Sequence, residues 1–306
     1  MGDISFVPGF VIGSILGSFV KALADRSLGK KTFGGRSYCP SCKTGLRWYD
    51  LLPIVSYLIL QGRCRYCRKK IGVEYLVVEL GMGILIALLF YQTFDNFKFE
   101  IFNFYSIFNF KFLIFSFELI LKIFFITILA VLFLTDLKKM LIPDRIIKPA
   151  IAIALVFLIV LTMFKVGYLY SSLSQNIVGK LLLPPYSDYF QRHAIQAAEP
   201  LFYGILMGGL IGSFFLGLII LTRGKGMGGG DVNLGAFMGL VLGFPQALFA
   251  LMLAFLTGAI FSVGLIILGK KHFGQTIPFG PFLVLGSLIM LYWGNQIVDW
   301  YLKLGS

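Results

Sequence analysis

Charged residues are scarce in this chain. Only 13% of its 306 residues are Asp, Glu, Lys or Arg, against 58% that are hydrophobic, and the mean hydropathy is +0.87. A soluble globular domain carries about 25% charged residues, so the composition excludes one and points to a polytopic membrane protein. Histidine is rarer still: His193 and His272 are the only two. Neither has a partner at ligand spacing, which leaves ordinary surface roles for both. The glycine-rich run at 224–230 lacks Gly-Lys-Ser/Thr and follows no strand, so it is not a phosphate-cradling loop. No internal repeat or low-complexity linker is evident.

What is present is long and apolar. Each helical span needs ~20 apolar residues, and candidates run over 5–24, 74–92, 112–135, 149–168, 201–222, 232–244, 246–269 and 277–298. The segment 232–244 is short for a crossing and is expected to be re-entrant or partly unwound. The expected fold is therefore an all-α polytopic membrane protein of about eight transmembrane helices. No cleavable signal is expected, because Asp3 replaces a positive leading region and Lys21 and Arg26 follow the first apolar run.

The basic residues set the orientation. Twelve Lys/Arg fall in Lys21–Lys70, four in 137–148, two in 223–225 and two at 270–271, so these stretches hold 20 of the 27. With eight crossings they share one face, which the positive-inside rule makes cytoplasmic. The connections on the other face, including 169–200, are far less basic. The aromatic stretch Phe94–Phe117 reads as interfacial belt. The net charge of +13 reflects this topology and contact with anionic lipid, not nucleic-acid binding.

Two aspartates then stand out, Asp136 and Asp231, each where an apolar segment meets a short basic loop. A carboxylate beside a span is costly to keep and marks a functional site by default. Two on one side of a bilayer can meet across adjacent helices, share a proton, and activate water against a peptide bond. Asp231 closes Gly226-Met227-Gly228-Gly229-Gly230-Asp231, whose glycines are expected to adopt positive φ and let a substrate strand approach. Asp144, just after Pro143, reads as an N-cap for the next helix, with a third catalytic acid as the alternative. Glu79 lies at the cytoplasmic side of the second span, either functional or salt-bridged to a loop arginine.

All four cysteines lie in one basic segment, as Cys39-x2-Cys42 and Cys64-x2-Cys67 separated by 21 residues. Paired knuckles of this kind form a tetrathiolate zinc pattern, and a cytoplasmic setting disfavours disulfides. Arg63, Arg65, Arg68, Lys69 and Lys70 would favour thiolates. A four-sulfur site is closed and hence structural; buried or redox cysteines are the alternative. The run Trp48–Leu60 between the knuckles is too short for a span and reads as an amphipathic or buried helix on the membrane surface, or a dipping hairpin.

Six ordered motifs resemble the bacterial type IV prepilin peptidases, also called leader peptidase/N-methyltransferases. They are Gly17-Ser18-Phe19 with Arg26; Cys39-Pro40-Ser41-Cys42 through Trp48-Tyr49-Asp50-Leu51-Leu52-Pro53 to Gly62-Arg63-Cys64-Arg65-Tyr66-Cys67; Tyr75 to Glu79-Leu80; Asp136 with Ile142-Pro143-Asp144; the GxGD motif ending at Asp231; and Pro278-Phe279-Gly280-Pro281-Phe282. The chain departs from the family at Asn233, where lysine is usual, at Leu76, where proline is common, and in the longer stretches 94–117 and 169–200.

The resemblance implies a first transmembrane helix at 1–24, a cytoplasmic cysteine domain linked to methyl transfer at 25–73, and a GxGD aspartyl peptidase domain at 74–306. It implies catalysis by Asp136 and Asp231, with Gly228, Gly230, Asp144 and Glu79 in supporting positions, and structural zinc on Cys39, Cys42, Cys64 and Cys67. The implied substrates are prepilins or type II secretion pseudopilins, cut at the cytoplasmic face of the bacterial inner membrane between a glycine and a hydrophobic residue. N-methylation of the new terminus by S-adenosylmethionine would follow. A presenilin-like protease is the first rival, but it would not require the double knuckle. A proton- or cation-coupled transporter is the second, but its acids usually lie near the midplane within inverted repeats.

Overall fold

A computed structural model describes residues 2–29, 34–96, 110–175, 177–224, 228–269 and 277–304. Lipid offers the backbone no hydrogen-bonding partner, so apolar stretches satisfy their N–H and C=O groups internally, as helix. In chain order the helices are α1 (Gly2–Leu28), α2 (Val55–Ile59), α3 (Glu74–Asn96), α4 (Phe110–Lys139), α5 (Asp144–Ser174), α6 (Ile177–Leu181), α7 (Tyr189–Leu221), α8 (Gly229–Leu242), α9 (Gln246–Ile267) and α10 (Gly280–Leu304), with a 3-10 turn at Trp48–Leu51. Among the described residues the strand-like pairings are two isolated bridges, Tyr38 with Gly45 and Arg63 with Lys70. The fold is all-α.

Seven of these helices, α1, α3, α4, α5, α7, α9 and α10, are long and apolar enough to cross a membrane. The eighth apolar helix, α8, has 14 residues. At 1.5 Å per residue it extends about 21 Å, short of the ~30 Å hydrocarbon layer. It is the short element expected at 232–244, begun three residues earlier.

The stretch 169–200 departs from expectation. It is not a long loop: α5 runs on to Ser174, α6 follows, and α7 starts at Tyr189. Helix persists past the apolar window because polar residues satisfy helical geometry as well as apolar ones do. Most of the aromatic stretch 94–117, along with Gly226, Lys270, Lys271 and His272, lies outside the described residues.

The chain packs as two compact units, Met1–Phe99 with Ile126–Pro143, and Glu100–Phe125 with Asp144–Ser306. In the first, α1 packs along α3, and Val20, Ala24, Met82, Ile86 and Leu89 of these two helices are buried. Between apolar helices in lipid there is little hydrophobic drive, so close backbone approach at small residues supplies the packing. Gly9, Gly13 and Gly17 provide it every fourth residue. A Cβ on Gly17 would stand 2.7 Å from Glu79 Cα, and one on Gly13 would strike the Met82 carbonyl. The second unit repeats the device where α7 meets α8: a Cβ on Gly208 would sit 3.0 Å from the Ala236 carbonyl, and one on Gly239 2.6 Å from that of Met207. Phe215, Phe237 and Met238 fill the space around that contact and are fully buried.

Candidate metal centre and aspartate-bearing helix ends

The two Cys-x2-Cys segments fold into the same turn. Cys39 N–H donates to Thr44 O at 3.0 Å and Lys43 N–H to Cys39 O at 2.8 Å, while Cys64 N–H donates to Lys69 O at 2.8 Å and Arg68 N–H to Cys64 O at 2.9 Å. Leu46 N–H to Ser37 O and Ile71 N–H to Gly62 O, at 2.8 and 2.7 Å, complete the match. Lys43 and Arg68 occupy equivalent positive-φ positions, at 57° and 58°. An internal repeat therefore exists in backbone geometry, announced in the sequence by little more than the two Cys-x2-Cys pairs.

These turns bring four sulfurs together. The Sγ atoms of Cys39, Cys42, Cys64 and Cys67 all lie within 4.8 Å of one another, and Cys39 Sγ is 3.9 Å from Cys67 Sγ. Tetrahedral coordination at a Zn–S distance of ~2.3 Å puts sulfurs about 3.8 Å apart, so the donor set fits a single closed metal site. Cys39 and Cys64 are buried, Cys42 and Cys67 half-buried. Hydrogen bonds from the Thr44 hydroxyl and N–H lower Cys42 to about 6. The Lys69 N–H favours the Cys67 thiolate, but burial and the neighbouring sulfurs outweigh it and raise that thiol to about 11. Four sulfurs this close could all be thiolates only with a cation among them.

Asp50 ties the intervening segment to the second knuckle. Its carboxylate accepts Arg65 Nε at 2.8 Å, the Tyr66 hydroxyl at 3.1 Å and Arg47 N–H at 3.1 Å. Burial disfavours its charge, but these donors prevail and hold the carboxyl below its usual range. The run Trp48–Leu60 is not one helix. It is the 3-10 turn and α2, broken at Pro53-Ile54, where Ile54 has φ 61°. Proline lacks the N–H that would continue the ladder. At the break Ile54 N–H donates to Glu79 Oε2 at 2.8 Å, so Glu79 holds this backbone and not a loop arginine.

Around the first aspartate, Asp136 sits on the last turns of α4, 5% exposed, and its carbonyl accepts Met140 N–H at 2.8 Å. Two residues on, Lys138 pairs with Glu74 at 2.8 Å and Asp25 at 3.2 Å. Lys21, 2% exposed, bonds the same two acids at 2.9 and 3.0 Å. This four-charge network joins α1, α3 and the end of α4 within the first unit, and sequence spacing gave no sign of it.

Asp231 belongs to the second unit. It lies in the first turn of α8, where the helix dipole favours a negative charge, half-buried behind the N-cap Gly228. The glycines serve differently from expectation. Gly224 has φ +73° at the end of α7, but Gly228 is extended at φ −86° and Gly229 and Gly230 are helical. Among the described residues, a Cβ on Gly228 or Gly229 would meet nothing within 4 Å, which leaves open space beside Asp231. Asp144 is the first residue of α5, bonded to Lys148 at 2.9 Å and to Asn233 Nδ2 at 3.2 Å. His193 bonds the Tyr189 carbonyl at 2.9 Å, the ordinary surface role expected of it.

Two family models match the chain in sequence order: the bacterial peptidase A24 N-terminal domain over residues 11–93 and the type IV leader peptidase family over 123–263. A Bacillus subtilis (strain 168) prepilin leader peptidase/N-methyltransferase is 28% identical over 296 residues, 96% of this chain and 97% of that protein. The protein of that name from Aeromonas salmonicida (strain A449) is 31% identical over 269 residues, 88% of this chain and 75% of the relative. The chain belongs to the type IV leader peptidase family. A Legionella pneumophila relative of the same name, 27% identical over 87% of this chain and 75% of its own length, agrees. No solved structure matches. Within this family assignment, the four clustered sulfurs fall in the N-terminal match, while Asp136 and Asp231 both fall in the peptidase match.

Proposed function

We propose that this protein is a membrane prepilin leader peptidase that also N-methylates its product, with Asp136 and Asp231 as the acid–base pair. The observation that carries the reading is the ordered match of both family models, joined by a relative that aligns over nearly the whole length of both chains. Two like charges brought close cannot both ionise, so one carboxyl keeps a proton. The ionised partner draws a proton from water, and the protonated one donates to the scissile carbonyl. The open space at Gly228 and Gly229 supports approach of an extended leader strand to Asp231. Gly230, Asp144 and Glu79 are supporting residues, and Asp144 acts through Asn233 at the base of α8.

In this reading the cysteine cluster holds one structural zinc, because a closed four-sulfur set leaves no open position for water. The methyl donor, S-adenosylmethionine, would supply an electrophilic methyl group to the amine released by cleavage. The substrates are prepilins or type II secretion pseudopilins, whose apolar helix stays in the bilayer while the leader reaches the cytoplasmic face. The multi-pass protein sits in the bacterial inner membrane with its basic loops in the cytoplasm. Incubating the purified protein with a prepilin, with and without S-adenosylmethionine, tests both activities. Leader release alone, or release followed by a methylated terminus, separates them by mass.

A further inference from the structure

A cavity of about 520 Å³ lies within the first unit, bounded by Ser18 and Ala22 of α1, Tyr75 and Glu79 of α3, and Cys39 and Cys64 of the knuckles. This volume falls in the range of roughly 300–1,000 Å³ that accepts a small organic ligand. Three acids line it, Asp25, Asp50 and Glu79, and two of them already face cations. Lys21 and Lys138 meet Asp25, and Arg65 meets Asp50. Glu79 differs. It is 7% exposed, holds the Ile54 N–H and a hydrogen bond from Ser18, and has no ion-pair partner among the described residues. A buried carboxylate stays charged at low cost only when a cation joins it.

We propose that this cavity binds the methyl donor, S-adenosylmethionine, with the cationic sulfonium seated at Glu79. The proposal rests on the methyltransferase part of the function above and gives that activity a place in the chain. The donor combines a fixed positive charge, an aromatic base and an amino-acid group bearing both signs of charge. The cavity offers the complementary chemistry: the Glu79 carboxylate for the sulfonium, Tyr57 and Tyr75 as aromatic walls, and Arg26 and Lys70 for the donor carboxylate. Transfer of the methyl group to the amine released by cleavage would break one carbon–sulfur bond, form a carbon–nitrogen bond, release a proton from the amine and leave a neutral thioether. The charge partner of Glu79 then disappears, so the spent donor is held less tightly than the fresh one.

The test compares equilibrium binding of S-adenosylmethionine and of its thioether product, S-adenosylhomocysteine, to the purified full-length protein carrying its metal. The wild type should bind the sulfonium form more tightly. Glu79→Gln keeps an oxygen for the Ile54 N–H; it should weaken donor binding about tenfold and leave product binding unchanged. Glu79→Asp should keep part of the preference. Equal loss of both ligands in Glu79→Gln would make Glu79 a packing residue and overturn the assignment, as would donor binding unchanged by it. Ala22→Phe, which fills the cavity from α1, should abolish binding of both ligands while metal content stays at the wild-type level; wild-type affinity in that variant also overturns the proposal. A wild type that methylates cleaved prepilin but binds donor indifferently to Glu79 sinks only the cavity assignment. A wild type that neither binds donor nor methylates sinks the methyltransferase reading together with it.

Discussion

Asn233 donates its side-chain N–H to the Asp144 carboxylate at 3.2 Å, joining the fifth residue of α8 to the first residue of α5. Two residues before Asn233 stands Asp231, so this bond braces the turn that carries a proposed catalytic acid. The family usually has lysine here, and lysine could meet Asp144 as an ion pair. Asn233→Lys should therefore retain leader cleavage. Asn233→Ala, which loses one exposed hydrogen bond, should reduce kcat by less than about tenfold. Loss of activity in the lysine variant would show that Asn233 is needed for something other than this brace.

The cysteine module makes a compositional prediction. Purified protein should contain one zinc per chain, bound by four sulfurs. Chelation should raise amide exchange across 36–70 far more than in α9 or α10, because closing this small core depends on the metal. Metal-free protein with unchanged exchange would remove the structural role.

Asp50 should matter to the same module without being one of the proposed metal ligands. Asp50→Asn keeps the shape but gives up the charge that Arg65, Tyr66 and the Arg47 N–H converge on. Exchange at 47–51 and 63–66 should quicken about tenfold, with metal content unchanged. The carboxyl sits below its usual range, so its contribution is present above the ordinary carboxylate pKa. It is lost as pH falls through the folded value.

Glycine positions on α3 offer a matched pair. A Cβ on Gly83 would stand 2.8 Å from the Phe10 ring and Ser14 Oγ, whereas one on Gly81 would meet nothing within 4 Å. Gly83→Val should destabilise the α1–α3 contact and lower the yield of folded protein, while Gly81→Val should be tolerated. Equal behaviour of the two in thermal unfolding would show that this contact does not depend on close backbone approach.

How much of this could be read in the chain depends on the range of the interaction. The spans followed from apolar runs, and the short element at 232–244 showed itself by its length. The four cysteines were legible because metal-ligand spacing is local. The ends of α5 and α7 were not, since polar helix beyond the membrane has no apolar signature. Nor was the Lys21–Glu74–Lys138–Asp25 network, whose members are up to 117 positions apart. The stripes Gly9-Gly13-Gly17 and Gly204-Gly208-Gly212 could have been found from their spacing of four, a small-residue signal that marks helix contacts. The matching of the two knuckles appears only in hydrogen bonds, because their sequences share little beyond the cysteines.

The proposed mechanism makes Asp136 and Asp231 an acid–base pair, and single-turnover cleavage of a prepilin by purified Asp136→Asn and Asp231→Asn tests that proposal most directly. Each variant should be folded, with wild-type metal content, and should lose leader cleavage by at least about a thousandfold. The double variant should be no worse than either single one, because groups acting as a unit are not additive. Appreciable turnover by either single variant, or losses that multiply in the double one, would contradict the claim that these two carboxyls act together.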